Sequence, residues 1–172
     1  MRQETIVKTY YKFNELSENA QEVAVSDLYN INTEFEWWDC TYEDAARIGL
    51  KITAFDLDRG SYVKGSLTMS TEDCAQAILK EHGDTCDTYT LAQQFLDDLR
   101  KIRAEGYVKE GNDFDENYAD SIEELKLEFE RALKEEYRSI LQKEYEYLTS
   151  EEAIKETIEA NDYEFDEHGN LA

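Results

Sequence analysis

A chain of 172 residues, 41% hydrophobic and 12% aromatic, carries enough packing material for one ordinary domain with a real core, which excludes a disordered acidic tail. Forty-one Asp and Glu against eighteen Lys and Arg leave a formal net charge of −23. That excess repels nucleic acid and anionic lipid, so a partner that uses the charge must be basic; the bland alternative is that the acidity serves solubility alone.

The N-terminus, MRQETIVKTYYKF, has no apolar segment followed by a cleavage site, and no stretch approaches eighteen apolar residues. Neither export nor a membrane span is expected, and the expected location is the cytoplasm. Cys40, Cys74 and Cys86 are odd in number and irregularly spaced, which fits neither a disulfide framework nor a zinc knuckle, so reduced thiols are expected.

Residues 4–13, rich in Thr, Val, Ile, Tyr and Phe, read as a first strand ending at the Asn14 turn. Ser17 then caps a helix over about 18–31 with apolar positions Ala20, Val23, Ala24, Leu28 and Ile31, and Leu16 is placed as a staple before the cap. Thr33 is the expected cap of a second helix, about 34–48, whose apolar stripe holds Phe35, Trp38, Tyr42, Ala45 and Ala46 and which stops at Gly49. On that wheel Trp38 belongs to the core, while Trp37 is either wedged at the edge of the core or exposed for a partner. The segment is unusual in setting both tryptophans within EFEWWDCTYED, among five carboxylates and no base.

Residues 50–70 read as a hairpin turning at Asp58, Arg59 and Gly60. Ser70 opens a short helix over about 72–82 ending at Gly83, and a further helix over about 90–105 is expected to close at Gly106. YVKEGNDFDENYAD lacks an apolar period and reads as a surface loop. A helix of about thirty residues, 118–148, follows on Ile122, Leu125, Phe129, Leu133, Ile140 and Leu141. Ser150 caps a last helix over 151–160, and NDYEFDEHGNLA adds a small terminal strand. The expected architecture is a single α+β domain, 1–172, mainly helical, with a small antiparallel sheet and a long C-terminal helix.

The charge is uneven along the chain. From Glu110 to Glu124 there are seven acids and no base, and from Glu144 to the end ten acids face Lys155 alone. Between them the long helix compensates itself, with Glu130 spaced to meet Lys134 and Glu128 to meet Arg131. Double-stranded DNA presents one charge per roughly 1.7 Å of axis, so about twenty excess carboxylates could imitate roughly ten base pairs. The residues expected to meet a partner are Trp37, Asp44, Asp113, Asp115, Glu116, Tyr118, Asp120, Glu123 and Glu124, with Trp37 and Tyr118 as aromatic anchors among carboxylates.

Asp113, Asp115, Asn117, Ser121 and Glu124 also fall at positions one, three, five, nine and twelve of a calcium loop. Tyr118, however, stands where the sharp turn wants glycine, and Asp120 where an apolar residue is usual, so no metal is expected there. DLDRG at 56–60 begins like a metal loop but lacks a distal glutamate and reads as an acidic turn. His82 and His168 have no triad or metal-protease spacing, and no phosphate-cradling glycine loop is present, so neither a cofactor nor an enzymatic activity is implied.

KFNELSENAQ, the EWWDCTYEDA block, the GLKITAFDLDRGSYVKG hairpin and the terminal EANDYEFDEHGN together resemble the small acidic proteins of bacteriophages and prophages. The resemblance spans most of the chain and carries no catalytic residues. It implies a phage protein acting in the host cytoplasm, where such acidity is used to occupy nucleic-acid-binding surfaces. The implied partner is a basic nucleic-acid-binding protein, such as a CRISPR effector or restriction enzyme, with no direct contact to nucleic acid or membrane. The alternative is an antitoxin-like or regulatory protein-binding module without mimicry.

Overall fold

The structure, a computed structural model, describes residues 8–108 and 116–172. In chain order its elements are β1 (Tyr11–Lys12), a 3-10 turn (Phe13–Glu15), α1 (Glu18–Asp27), α2 (Asp39–Arg47), β2 (Leu50–Asp56), β3 (Tyr62–Leu67), α3 (Thr71–Glu81), α4 (Asp87–Val108), α5 (Glu116–Leu148), α6 (Glu151–Ala160) and β4 (Glu164–Phe165). The class is α+β, mainly helical, with two small antiparallel sheets, β1 with β4 and β2 with β3. At 1.5 Å per residue the 33 residues of α5 span about 50 Å. By their contacts the residues form two compact units, Met1–Trp37 with Lys143–Ala172, and Trp38–Gln142.

In the first unit Phe13, Leu16, Ala20, Ala24, Ile154, Ile158 and Phe165 form the core. The small residues Ala20 and Ala24 suit the close packing of α1 on α6, and Phe13 meets Phe165 edge to face at 6.3 Å. Ser17 caps α1 by accepting from the Ala20 amide, and Ser150 caps α6 by accepting from the Ala153 amide. Leu16 is buried before the cap, but the position it would staple is Gln21, whose side-chain amide donates to the carbonyls of Phe13 and Leu16 at 3.0 and 3.4 Å.

The expected first strand is paired only over Tyr11–Lys12. Residues 8–10 lie outside it with exposed side chains, and 4–7 lie outside the described residues. Helix α1 stops at Asp27 rather than near Ile31 because residues 28–33 turn tightly, with the Ile31 amide donating to the Leu28 carbonyl and that of Thr33 to Asn30. Asn32 fixes this turn: its amide donates to the Leu148 carbonyl at 3.0 Å, and its oxygen accepts from the Thr157 hydroxyl at 2.7 Å.

In the second unit the core joins Ala45 and Ile48 from α2 and its end, Leu50 and Ile52 from β2, Cys74 and Ile78 from α3, Phe95 and Leu99 from α4, and Phe129, Leu133 and Tyr137 from α5. The hairpin carries a register shift between Ile52 and Ala54, and at Gly65 a Cβ would come 2.5 Å from the Lys51 carbonyl oxygen. Its turn is held by the Asp58 amide donating to Asp56 Oδ1 at 2.8 Å and by Gly60 at φ +83°.

Further helix boundaries differ from the sequence expectation. Helix α2 begins at Asp39 rather than 34, since Thr33 spends its hydroxyl on the Asn30 carbonyl and Trp38 takes the N-cap position without a side-chain cap. Helix α4 begins at Asp87 and passes through buried Gly106 to Val108; a helical glycine costs only about 1 kcal/mol, which packing overrides. The stretch expected as loop is helical from Glu116 onward.

Candidate partner-binding surface

Six cationic side chains of the second unit are paired with carboxylates within it. Arg103 clamps Glu72 with two hydrogen bonds of 2.8 and 2.6 Å, and Arg100 with Asp97, Lys101 with Asp98, Lys126 with Glu123, Lys134 with Glu130 and Arg138 with Glu135 pair at helical spacing, all at 2.6–2.8 Å. These contacts leave their marks: the Arg103 guanidinium holds Glu72 below the usual carboxylate range, and Arg138 does the same to Glu135. The pair expected between Glu128 and Arg131 is not formed; both side chains are exposed, and Glu128 has no ionic partner among the described residues.

The first unit has seventeen acids against five bases and the second twenty-four against thirteen, so the smaller unit is the more densely anionic. On α6 the exposed Glu152, Glu156 and Glu159 recur at helical spacing and share one face, while Lys155 turns to Glu151 instead. At 1.5 Å per residue the three carboxylates step about 6 and 4.5 Å along the axis. On α1 the exposed Glu18 and Glu22 are spaced the same way. The expectation of an acid-rich C-terminal segment did not single out this α6 stripe, although its four- and three-residue spacing could have.

Trp37 and Trp38 are both half-buried. The backbone is not helical at Trp37, so the 100° step between helical neighbours does not apply. Trp37 lies against Tyr145, ring centroids 5.8 Å apart, and Trp38 meets Phe55 edge to face at 5.5 Å. Within this segment the ring left in solvent is Phe35, 70% exposed although the sequence placed it on the apolar stripe, because the helix that would turn it inward begins only at Asp39.

Asp44 is not a free surface acid. Its Oδ2 accepts the hydroxyl of Tyr137, a fully buried side chain, at 2.8 Å and lies 3.5 Å from His82 Nε2. On its other side the His82 ring meets Thr88 Oγ1 through Nδ1 at 2.7 Å, while Nε2 is buried with no hydrogen-bond partner among the described residues. Burial first, and then the bond to Asp44, push the Tyr137 phenol far above the ordinary tyrosine range. Burial, with a smaller contribution from Glu130, pushes the neighbouring Cys74 thiol up to about 12. Both groups are held neutral, which suits packing rather than nucleophilic chemistry.

Of the other expected partner residues, Asp113 and Asp115 lie outside the described residues. Glu116, Tyr118, Asp120, Glu123 and Glu124 belong to the first turns of α5, where Asp120, Glu123 and Glu124 are exposed, Glu123 is paired with Lys126 and Tyr118 is half-buried. Asn117, Ser121 and Glu124 of the calcium pattern are likewise on α5, within a helix rather than a loop. Among the described residues no group of three or more His, Cys, Asp or Glu is placed to hold a metal ion, and no helix is long and apolar enough to cross a membrane.

A second surface feature lies between α4 and α5, where Phe95 and Phe129 stack at 4.5 Å with their planes tilted by 31°. A cavity of about 270 Å³ opens over these rings. No family model, curated protein or solved structure matches the chain, so its own charge and geometry carry the functional argument.

Proposed function

We propose that the protein is an acidic inhibitor of phage origin that binds a basic nucleic-acid-binding host defence protein, of the CRISPR effector or restriction enzyme kind, by anionic mimicry in the host cytoplasm. The observation that carries this reading is the stripe Glu152, Glu156 and Glu159 on α6, exposed and without ionic partners among the described residues. One carboxylate per roughly 5 Å on α6 is somewhat sparser than the 3.4 Å phosphate rise of a single nucleic-acid strand, and Glu18 and Glu22 of α1 add to it. Such a surface competes for lysines and arginines that otherwise meet phosphates, and it acts by occupancy without chemistry.

The test is capture of basic nucleic-acid-binding proteins from a bacterial lysate, followed by quantitative binding to the captured protein. Affinity should fall steeply as salt rises, double-stranded nucleic acid should compete, and reversal of Glu152, Glu156 and Glu159 to lysine should weaken binding at least tenfold with the circular dichroism spectrum unchanged. Binding that persists at high salt and on nucleic-acid-loaded target would instead favour a protein-binding module of the antitoxin-like or regulatory kind, for which the exposed ring of Phe35 offers an apolar anchor.

A further inference from the structure

We infer that the groove between α4 and α5 receives an apolar side chain carried on a basic segment of the partner. Its floor is the stacked pair Phe95 and Phe129, nearly fully buried, and its walls are the half-exposed side chains of Leu91, Leu125 and Ala132. Apolar surface of this kind gains by being covered. At about 270 Å³ the cavity is smaller than the roughly 300–1,000 Å³ of sites that enclose a drug-sized molecule, and it suits one large side chain presented by a folded or folding segment.

The lips decide what kind of segment. On α4, Asp98 is committed to Lys101 at 2.8 Å. On α5, Glu128 is exposed and has no ionic partner among the described residues, although Arg131 lies three residues along the same helix. A free carboxylate beside an apolar slot complements a Lys or Arg close to an aromatic or aliphatic anchor. A second copy of this chain, itself at −23, an anionic lipid surface and a nucleic acid are all opposed by charge. The inference rests on the reading that the partner is basic and adds where its apolar anchor sits.

The test uses the full chain with methyl groups labelled for NMR and two synthetic lysine-rich helical peptides, identical except that one carries a central Phe with a Lys four residues on and the other Ala at the Phe position. The Phe peptide should shift the methyl signals of Leu91, Leu125 and Ala132 and bind at least tenfold more tightly than its Ala counterpart. Ala132→Phe, which fills the slot, should abolish that difference, and Glu128→Gln should weaken the Phe peptide about threefold. If Ala132→Phe lowers the melting temperature by more than a few degrees, Ala132→Leu serves as the filling variant. Equal affinity for both peptides with salt-sensitive binding overturns the groove and leaves the basic-partner reading standing. Groove shifts that persist at high salt and ignore reversal of the α6 stripe uphold the groove while removing mimicry. Absence of any shift in the three methyl groups with either peptide overturns the inference.

Discussion

Tyr137 and Cys74 are adjacent acids that the second unit holds in their neutral forms, and their effect on stability has one sign. In the unfolded chain a cysteine ionises near about 8.5 and a tyrosine near about 10. In the fold the Cys74 thiol is pushed up to about 12 by burial, and the Tyr137 phenol is raised by burial and by Asp44. Where the unfolded state has released a proton that the folded state keeps, stability falls as pH rises. The Cys74 contribution is therefore whole below about pH 8.5 and lost as pH climbs toward about 12, and that of Tyr137 begins to fall from about pH 10. Urea unfolding at a series of alkaline pH values should show this decline, with a shallower slope in Cys74→Ala and in Tyr137→Phe. Equal slopes in all three proteins would mean that neither group is shielded. None of this was visible in the sequence: Asp44 and Tyr137 are 93 residues apart, and a lone aspartate in an acidic run reads as solvated.

Elements with their own local signals were the legible ones. Ser70, like Ser17 and Ser150, stands before an apolar period and caps its helix with its side chain, accepting from the Asp73 amide. The hairpin announced itself through its acidic turn, and α5 through its long period. Helix α2 failed for the opposite reason: Thr33 looks like a cap, but Asn32 is tied to Leu148 and Thr157, contacts more than a hundred residues away. The terminal loop shows the same dependence. Asp166 accepts from the His168 and Asn170 amides at 2.9 and 3.0 Å, and Gly169 stands at φ +90° with a Cβ position that would overlap the carbonyl oxygen of Ala20 on α1. Gly60 has nearly the same φ, +83°, with open space around it. Gly169→Ala should therefore cost at least about 2 kcal/mol, strain and overlap together, and Gly60→Ala only about 1. Urea midpoints at constant m compare them; equal losses would show that the loop yields freely to the added carbon.

For the whole molecule, the excess charge was legible at once, but its layout was not. Counting acids along the chain draws attention to 110–124, yet Glu123 there meets Lys126 while Glu152, Glu156 and Glu159 have no ionic partner among the described residues; pairing depends on which faces the helices turn outward. This layout makes salt act on fold and complex with opposite signs. A folded chain at −23 repels itself, and shortening the Debye length from roughly 30 Å at 0.01 M to 3 Å at 1 M relieves that repulsion. The melting temperature should therefore rise with sodium chloride, whereas binding to a basic partner should weaken over the same range. Neutralising the stripe, Glu152, Glu156 and Glu159 to glutamine, should raise the low-salt melting temperature by about 2 °C or more. It should also flatten the dependence of stability on salt and reduce the salt slope of binding. Neutralising Glu123, Glu130 and Glu135 removes equal charge but strands Lys126, Lys134 and Arg138, so it should give no such gain. If both triple variants stabilise alike, the repulsion is a property of net charge and the α6 stripe holds no special place in it.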